Sequence, residues 1–274
     1  MLRERIESVH QRIARSCARS GREPSSVTLV AVTKGVPVEW VRDAVALGLT
    51  DFGENRVQEA RTKQIALGWG LGAGGQDPEP RALSLQPVKW HLIGHLQRNK
   101  ARHAVEGFDL IHSVDSVSLI EALEAAANST GPPSPALLAG AGKPQAAHRA
   151  NIQVFIQVNV SGESTKSGCL PEQARQLAEA FSRCEHVTLR GLMTMAPWSA
   201  HPEDARPHFR RLRELRDELV NTGSMQRAAR SLSMGMSQDF EVAIEEGADI
   251  VRIGTAIFGT REQGNSELGM RSAE

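Results

Sequence analysis

The chain has no tyrosine, no charge surplus, no paired cysteines and no long apolar run. Each absence removes something. Without tyrosine, no phenol is available as an acid or base. Lys and Arg number 32 and so do Asp and Glu, whereas a binder of nucleic acid or of an anionic membrane needs a positive excess to displace counterions. Neither partner is expected. Cys17, Cys169 and Cys184 lie far apart with no CxxC pair, which fits neither a disulfide framework nor a zinc site and favours a reducing compartment. No stretch approaches the roughly 18 consecutive apolar residues of a membrane span. The opening MLRERIESVHQRIARSCARSG is charged throughout and lacks the apolar core of a secretory signal. A cytoplasmic location is therefore expected, for a chain of 274 residues, 40% of them hydrophobic, that can bury a sizeable core.

What is present is a rhythm. Leu2, Ile6, Val9 and Ile13 share one helical face, and Gly21 stops that first helix. Short apolar runs then alternate with longer amphipathic ones. The strand candidates are Leu29–Thr33, Asp51–Gly53, Trp90–Gly94, Leu110–Val114, Val154–Asn159, Leu189–Thr194, Ser231–Met234 and Ile250–Gly254. Helices are predicted over Val38–Leu47, Glu54–Ile65, Ser116–Ala127, Pro171–Cys184, Glu203–Val220 and Gln238–Glu246, with start signals at Pro37, Ser116 and Pro171. Strand–helix alternation implies parallel strands with crossover helices, and near-continuous runs such as VFIQV fit strands covered on both faces. A closed eightfold barrel takes about 250 residues. An open doubly wound sheet usually shows GxGxxG after its first strand, and none follows Val32. The fold class expected is α/β, a single (β/α)8 TIM barrel of one domain over 1–274 with an extra N-terminal helix. Segments 68–88 and 128–150, rich in Gly, Pro and Ala, read as flexible insertions on the face away from the usual site.

Barrel sites gather at the C-terminal ends of the strands. Lys34 closes the first strand, in VTLVAVTKGVP. It reads either as a snorkelling lysine or as a Schiff-base lysine whose desolvated amine attacks an aldehyde. After the last two strands come small-residue turns, Gly235–Met236–Ser237 and Gly254–Thr255. Backbone N–H groups there, with the Ser237 and Thr255 hydroxyls, suit a phosphate dianion, at the position where barrels often hold one. Arg252 points the same way as Gly254. It could face a pyridine nitrogen, keeping that nitrogen unprotonated and weakening the ring as an electron sink, or it could form an ion pair in the barrel mouth. His91 and His95 are four apart, but a strand end separates them and no third ligand is evident, so a metal is not expected. Lys166, in GESTKSG, could approach an anion and equally reads as a surface lysine. Met193, Met195 and Met234 read as packing residues. RPHFRRLRELRDEL interleaves its arginines with acids and reads as a solvated helix face rather than a nucleic-acid helix.

At these residues the sequence resembles the YggS/PROSC family of pyridoxal phosphate homeostasis proteins. The segments are AVTKGVP, FGENRVQEA, WHLIGHLQRNK, VNVSGESTKSG, GLMTMAP, LSMGMSQDFEVAI and VRIGTAIFG, collinear from about residue 29 to 260. The resemblance implies a barrel like the N-terminal domain of alanine racemase, without that enzyme's second domain. It implies pyridoxal 5′-phosphate (PLP) as cofactor, an aldimine on Lys34, the phosphate held by Ser237, Gly254 and Thr255, and Arg252 facing the pyridine nitrogen. It places Asn55, His91, Asn159 and Met234 around the cofactor. Two departures are Gly35, where a polar residue is common, and His95, where the motif varies. The implied role is keeping free PLP low and available, as a monomer without robust turnover, with PLP-dependent apoenzymes as candidate recipients. Alanine racemases take their second base from a tyrosine, which this chain lacks. The alternatives are a racemase-like enzyme using another base and a cofactor-free Schiff-base aldolase acting on a sugar phosphate.

Overall fold

A strand that is apolar on both faces needs a core on one side and a covering layer on the other. LIHSV, buried at every position, meets that condition in the computed structural model, which describes residues 1–68, 88–129, 151–163 and 166–259. Eight parallel strands close in sequence order: β1 Thr28–Val32, β2 Asp51–Glu54, β3 Lys89–Leu92, β4 Leu110–Val114, β5 Ile152–Gln157, β6 Val187–Met193, β7 Ser231–Ser233 and β8 Ile250–Ile253. Closure sets β8 against β1, with Arg252 opposite Val30 and Ile253 opposite Ala31.

The covering layer holds α2 Val38–Ala46, α3 Val57–Ala66, α4 Ala101–Gly107, α5 Val117–Ser129, α6 Ala174–Ala180, α7 Arg206–Asn221 and the short α8 Phe240–Glu245 and α9 Thr255–Phe258. The extra helix, α1 Leu2–Arg19, buries Ile6, Val9, Ile13 and Cys17 at helical spacing and packs on α8 and α9. Arg12 fixes it there, paired with Glu241 at 2.8 Å and lying 4.5 Å over the Phe240 ring. The predicted helix Pro171–Cys184 is α6 flanked by two 3-10 turns. The expectation of insertions over 68–88 and 128–150 falls almost entirely outside the described residues.

Inside the barrel, Val30, Leu110, Phe155, Met193 and Ile250 form one apolar cluster. They come from five strands that are not all neighbours, so their contacts run across the interior. Strand alternation then points Val32, Gly53, His91, His112, Ser233 and Arg252 inward. Among the described residues no helix is long and apolar enough to cross a membrane.

Candidate functional site

The strand ends open on a cavity of about 450 Å³, within the range of about 300–1,000 Å³ usual for small-molecule sites. Lys34, Asn55, Ser237, Arg252, Gly254 and Thr255 all line it. Closure explains why residues so distant in sequence meet. Val32 pairs with Gly53 across β1 and β2, and a Cβ on Gly254 would sit 3.4 Å from Val32. Lys34 and Asn55, each two residues further along the chain and past its strand end, join the Gly254–Thr255 turn in the cavity lining.

Lys34 is exposed at the mouth rather than desolvated as its apolar strand suggested. The strand ends at Val32, and Gly35, at φ +68°, turns the chain outward at once. That φ accounts for glycine at this position. The backbone around Lys34 is gripped from outside the barrel. Lys63 Nζ donates to the Thr33 carbonyl at 2.5 Å, and the Gly35 N–H donates to Glu59 Oε1 at 2.6 Å. Glu54 Oε1 accepts from Lys63 Nζ at 2.5 Å and from Thr33 Oγ1 at 2.6 Å. Burial raises the Glu54 carboxyl above its ordinary value, opposed by Lys63 and Thr33.

Across the cavity, Ser237 Oγ accepts from the Gly254 N–H at 3.2 Å and the Ala256 N–H at 3.3 Å. Two backbone donors thus converge on one oxygen, the arrangement a phosphate oxygen needs. Asp239 Oδ1 accepts the Met236 N–H at 2.6 Å and holds the first turn; burial raises its carboxyl. Arg252, 3% exposed, donates to Ser233 Oγ at 2.5 Å and to the Thr194 carbonyl at 2.8 Å. Burial lowers its guanidinium to about 10, opposed by the charge of Asp239.

His91, Asn159 and Met234 do not line the cavity. His91 is buried beneath it, bonded to His112 and Asp51. The Asn159 amide donates to the Glu163 carbonyl, and its Oδ1 accepts from Ser161 Oγ and the Gly162 N–H, shaping the loop after β5. Met234 is fully buried in the main core. Lys166 pairs with Glu163 at 3.5 Å. His95 stands at the mouth, 3.7 Å from Asp115.

Sequence reasoning missed the lining residues Gln157, Trp198, His201 and Asp239, and read Met195, which also lines the cavity, as packing alone. Gln157 and Met195 were within reach, since each lies two residues beyond an inward side chain, Phe155 and Met193. Trp198, 78% exposed, sits on an irregular loop with no periodicity to reveal it.

Residues 7–262 match the family model described as alanine racemase, N-terminal domain. The chain is 41% identical over 261 residues to the pyridoxal phosphate homeostasis protein of Aquifex aeolicus, covering 94% of this chain and 98% of that relative. It is 40% identical over 261 residues to that of Pseudomonas aeruginosa, covering 95% and 96%. PipY of Synechococcus elongatus, solved with PLP bound, aligns at a TM-score of 0.71 and 33% identity, covering 94% of this chain and all (100%) of that one. An alanine racemase of Clostridium difficile aligns at a TM-score of 0.62 and 14% identity, covering 94% of this chain and 56% of that one, a likeness of fold alone. Barrel, collinear sequence and full-length relatives agree, and the chain belongs to the pyridoxal phosphate homeostasis protein family, on the fold of the alanine racemase N-terminal domain.

Proposed function

We propose that this chain binds PLP as a Schiff base on Lys34 and serves intracellular PLP homeostasis as a carrier without robust turnover. One observation carries the reading: a primary amine and two phosphate-competent turns face each other across one cavity, with Arg252 set into its wall. The residues fit the group. Lys34 supplies the amine for the aldehyde, the Gly254 and Ala256 N–H groups with Ser237 and Thr255 supply phosphate donors, and Arg252 supplies a fixed cation for the ring nitrogen. Bound there, the cofactor would supply an electrophilic carbonyl carbon for the amine and a conjugated ring whose strength as an electron sink Arg252 would weaken. Asn55 flanks the amine, Asn159 and Met234 shape the wall from behind, and His91 acts from below. The chain works as a monomer, and PLP-dependent apoenzymes are its recipients.

Two features favour carriage over catalysis. The chain has no tyrosine to serve as a second base. Neither the buried Cys169 nor the half-buried Cys184 replaces it, since burial pushes their thiols up to about 12 and about 11. His95 and His201 do line the cavity, so turnover has to be measured directly. Purified protein mixed with PLP should turn yellow, and borohydride followed by peptide mapping should place a pyridoxyl group on Lys34. Lys34→Ala should stay colourless. A label confined to another lysine, or sustained racemisation of alanine by the loaded protein, would sink the reading.

A further inference from the structure

Beneath the cavity, four further side chains continue inward from Arg252. Arg252 donates to Ser233 Oγ at 2.5 Å. Ser233 Oγ lies 2.8 Å from His112 Nδ1, His112 Nε2 lies 2.9 Å from His91 Nδ1, and His91 Nε2 lies 3.0 Å from Asp51 Oδ1. The chain crosses the interior from β8 through β7, β4 and β3 to the start of β2. Ser233 and His112 are fully buried, His91 is 1% exposed, and the Asp51 side chain is 14% exposed.

The two ends decide how the protons lie. A guanidinium can only donate, and a carboxylate can only accept. The Asp51 carboxylate therefore accepts the His91 Nε2–H, and in a neutral ring that leaves His91 Nδ1 bare. That nitrogen must accept from His112 Nε2–H. His112 Nδ1 is then bare and accepts the Ser233 hydroxyl proton, and the Ser233 oxygen is left with lone pairs for Arg252. With neutral rings, only this arrangement makes all four bonds. His112 suits it, because burial, with the neighbouring Arg252 cation, holds its imidazolium form well below the ordinary range. Phe155 stacks on the His112 ring at 4.7 Å and keeps its plane fixed.

We propose that Asp51, His91, His112 and Ser233 form a one-directional hydrogen-bond relay that fixes how Arg252 is presented to a ligand ring in the cavity. Its four members are positioning residues; none of them lines the cavity. The inference rests on the PLP reading for the identity of the ring, not for the relay itself. The relay gives the buried arginine an acceptor that cannot rotate away, and it counters the cation with a carboxylate at the far end of a row of aligned dipoles.

The test separates the two claims. In the free protein, two-bond proton–nitrogen correlation spectra of nitrogen-15 histidine should show the His112 and His91 rings each protonated on Nε2 with a bare Nδ1, with His112→Gln assigning the signals. A proton on His112 Nδ1 overturns the relay without reference to any cofactor. Asp51→Asn, which is isosteric and lies below the cavity, replaces the pure acceptor with a group that can also donate. Both rings should then populate mixed tautomers; wild-type tautomers at full population in that variant overturn the proposal. On the PLP-loaded protein, Ser233→Ala and Asp51→Asn should shift the visible band, and Ser233→Ala should release PLP about tenfold faster, the loss of one hydrogen bond to a charged group. An unchanged band and release rate in both variants overturn the link to Arg252. If wild-type protein captures no PLP at all, the proposed function falls while the tautomer measurement still decides the relay.

Discussion

Replacing Lys63 by methionine keeps the stem of the side chain and removes the ammonium that ties the outer network together. In the wild type that ammonium makes three contacts: the Thr33 carbonyl, Glu54 Oε1 and Glu59 Oε1, the last at 3.0 Å. The Lys63 side chain is 9% exposed and that of Glu54 0%. Removing one partner of a buried ion pair costs about 3–5 kcal/mol when the other charge is stranded. Here Glu54 keeps its Thr33 partner and can relax by taking up a proton, so about 2–4 kcal/mol is expected above neutrality. Burial already raises the folded-state value of Glu54 above 4.5. A carboxyl raised in the folded state contributes stability below its unfolded value and loses it as pH climbs through the folded one. Lys63→Met removes part of what opposes that rise, so its deficit should grow with pH. Urea denaturation at about pH 5 and about pH 8 reads this directly, with the larger loss at the higher pH. Adding Glu54→Gln should recover most of it, leaving a coupling energy of about 2 kcal/mol. A loss under about 1 kcal/mol, or one equal at both pH values, would refute the reasoning.

Two further substitutions probe other parts of the frame. Gly235 adopts φ +93°, and a Cβ there would lie 2.6 Å from Ala243 Cβ and 2.9 Å from Phe240 Cα. Gly235→Ala should therefore destabilise by about 2–4 kcal/mol in urea titration and weaken PLP capture at least tenfold by visible titration; wild-type affinity would contradict the placement of that turn. Glu124 collects the N–H groups of Glu185, His186 and Val187 as well as His186 Nδ1; burial raises its carboxyl, but the bonds from His186 and Glu185 outweigh that and hold it below 4.5. Its stabilisation is full above that value and fades as pH falls through the lower folded one. Glu124→Gln should cost about 1–3 kcal/mol at neutrality and flatten the acid limb of the stability profile; an unchanged limb would argue against the cluster.

Much of this architecture is legible in the sequence because it is local. LIHSV reads as a strand over Leu110–Val114 and is one, since a short apolar run with no helical partner has few other uses. Lys34, Ser237, Arg252, Gly254 and Thr255 follow from knowing which end of a barrel strand carries chemistry. The misses have physical causes. Residues 101–107 form a helix that buries only Ala101, Ala104 and Val105, too weak an apolar face to register as periodic. The first strand, predicted over Leu29–Thr33, runs one residue earlier, over Thr28–Val32: Thr33 looks like strand, yet its carbonyl is taken by Lys63 from outside the sheet. Lys34 reads as buried because its neighbours are apolar, while the positive φ of Gly35 carries it to the surface. The relay was unreadable because its bonds join residues 19 to 121 positions apart. His91 stands out in WHLIGH, and the family resemblance puts it beside the cofactor; its partner His112, which explains where it sits, leaves no local trace.

The four residues of β2 show how one short strand serves both sides of the barrel wall. Asp51 and Glu54 are three apart, so alternation sends them to opposite faces. Asp51 turns inward to anchor the relay beneath Arg252, while Glu54 turns outward to Lys63 and the peptides that flank Lys34. Between them, Phe52 packs outward near Trp90 with ring centroids 5.9 Å apart, and Gly53 faces inward where a Cβ would lie 2.9 Å from Val30 and 3.1 Å from Ile93. Neither intervening residue carries a polar side chain that could join the two networks. The cation set in the cavity wall and the backbone that carries the amine at its mouth are therefore held by separate sets of bonds, on opposite sides of the same strand, so either can be loosened by substitution while the other keeps its supports.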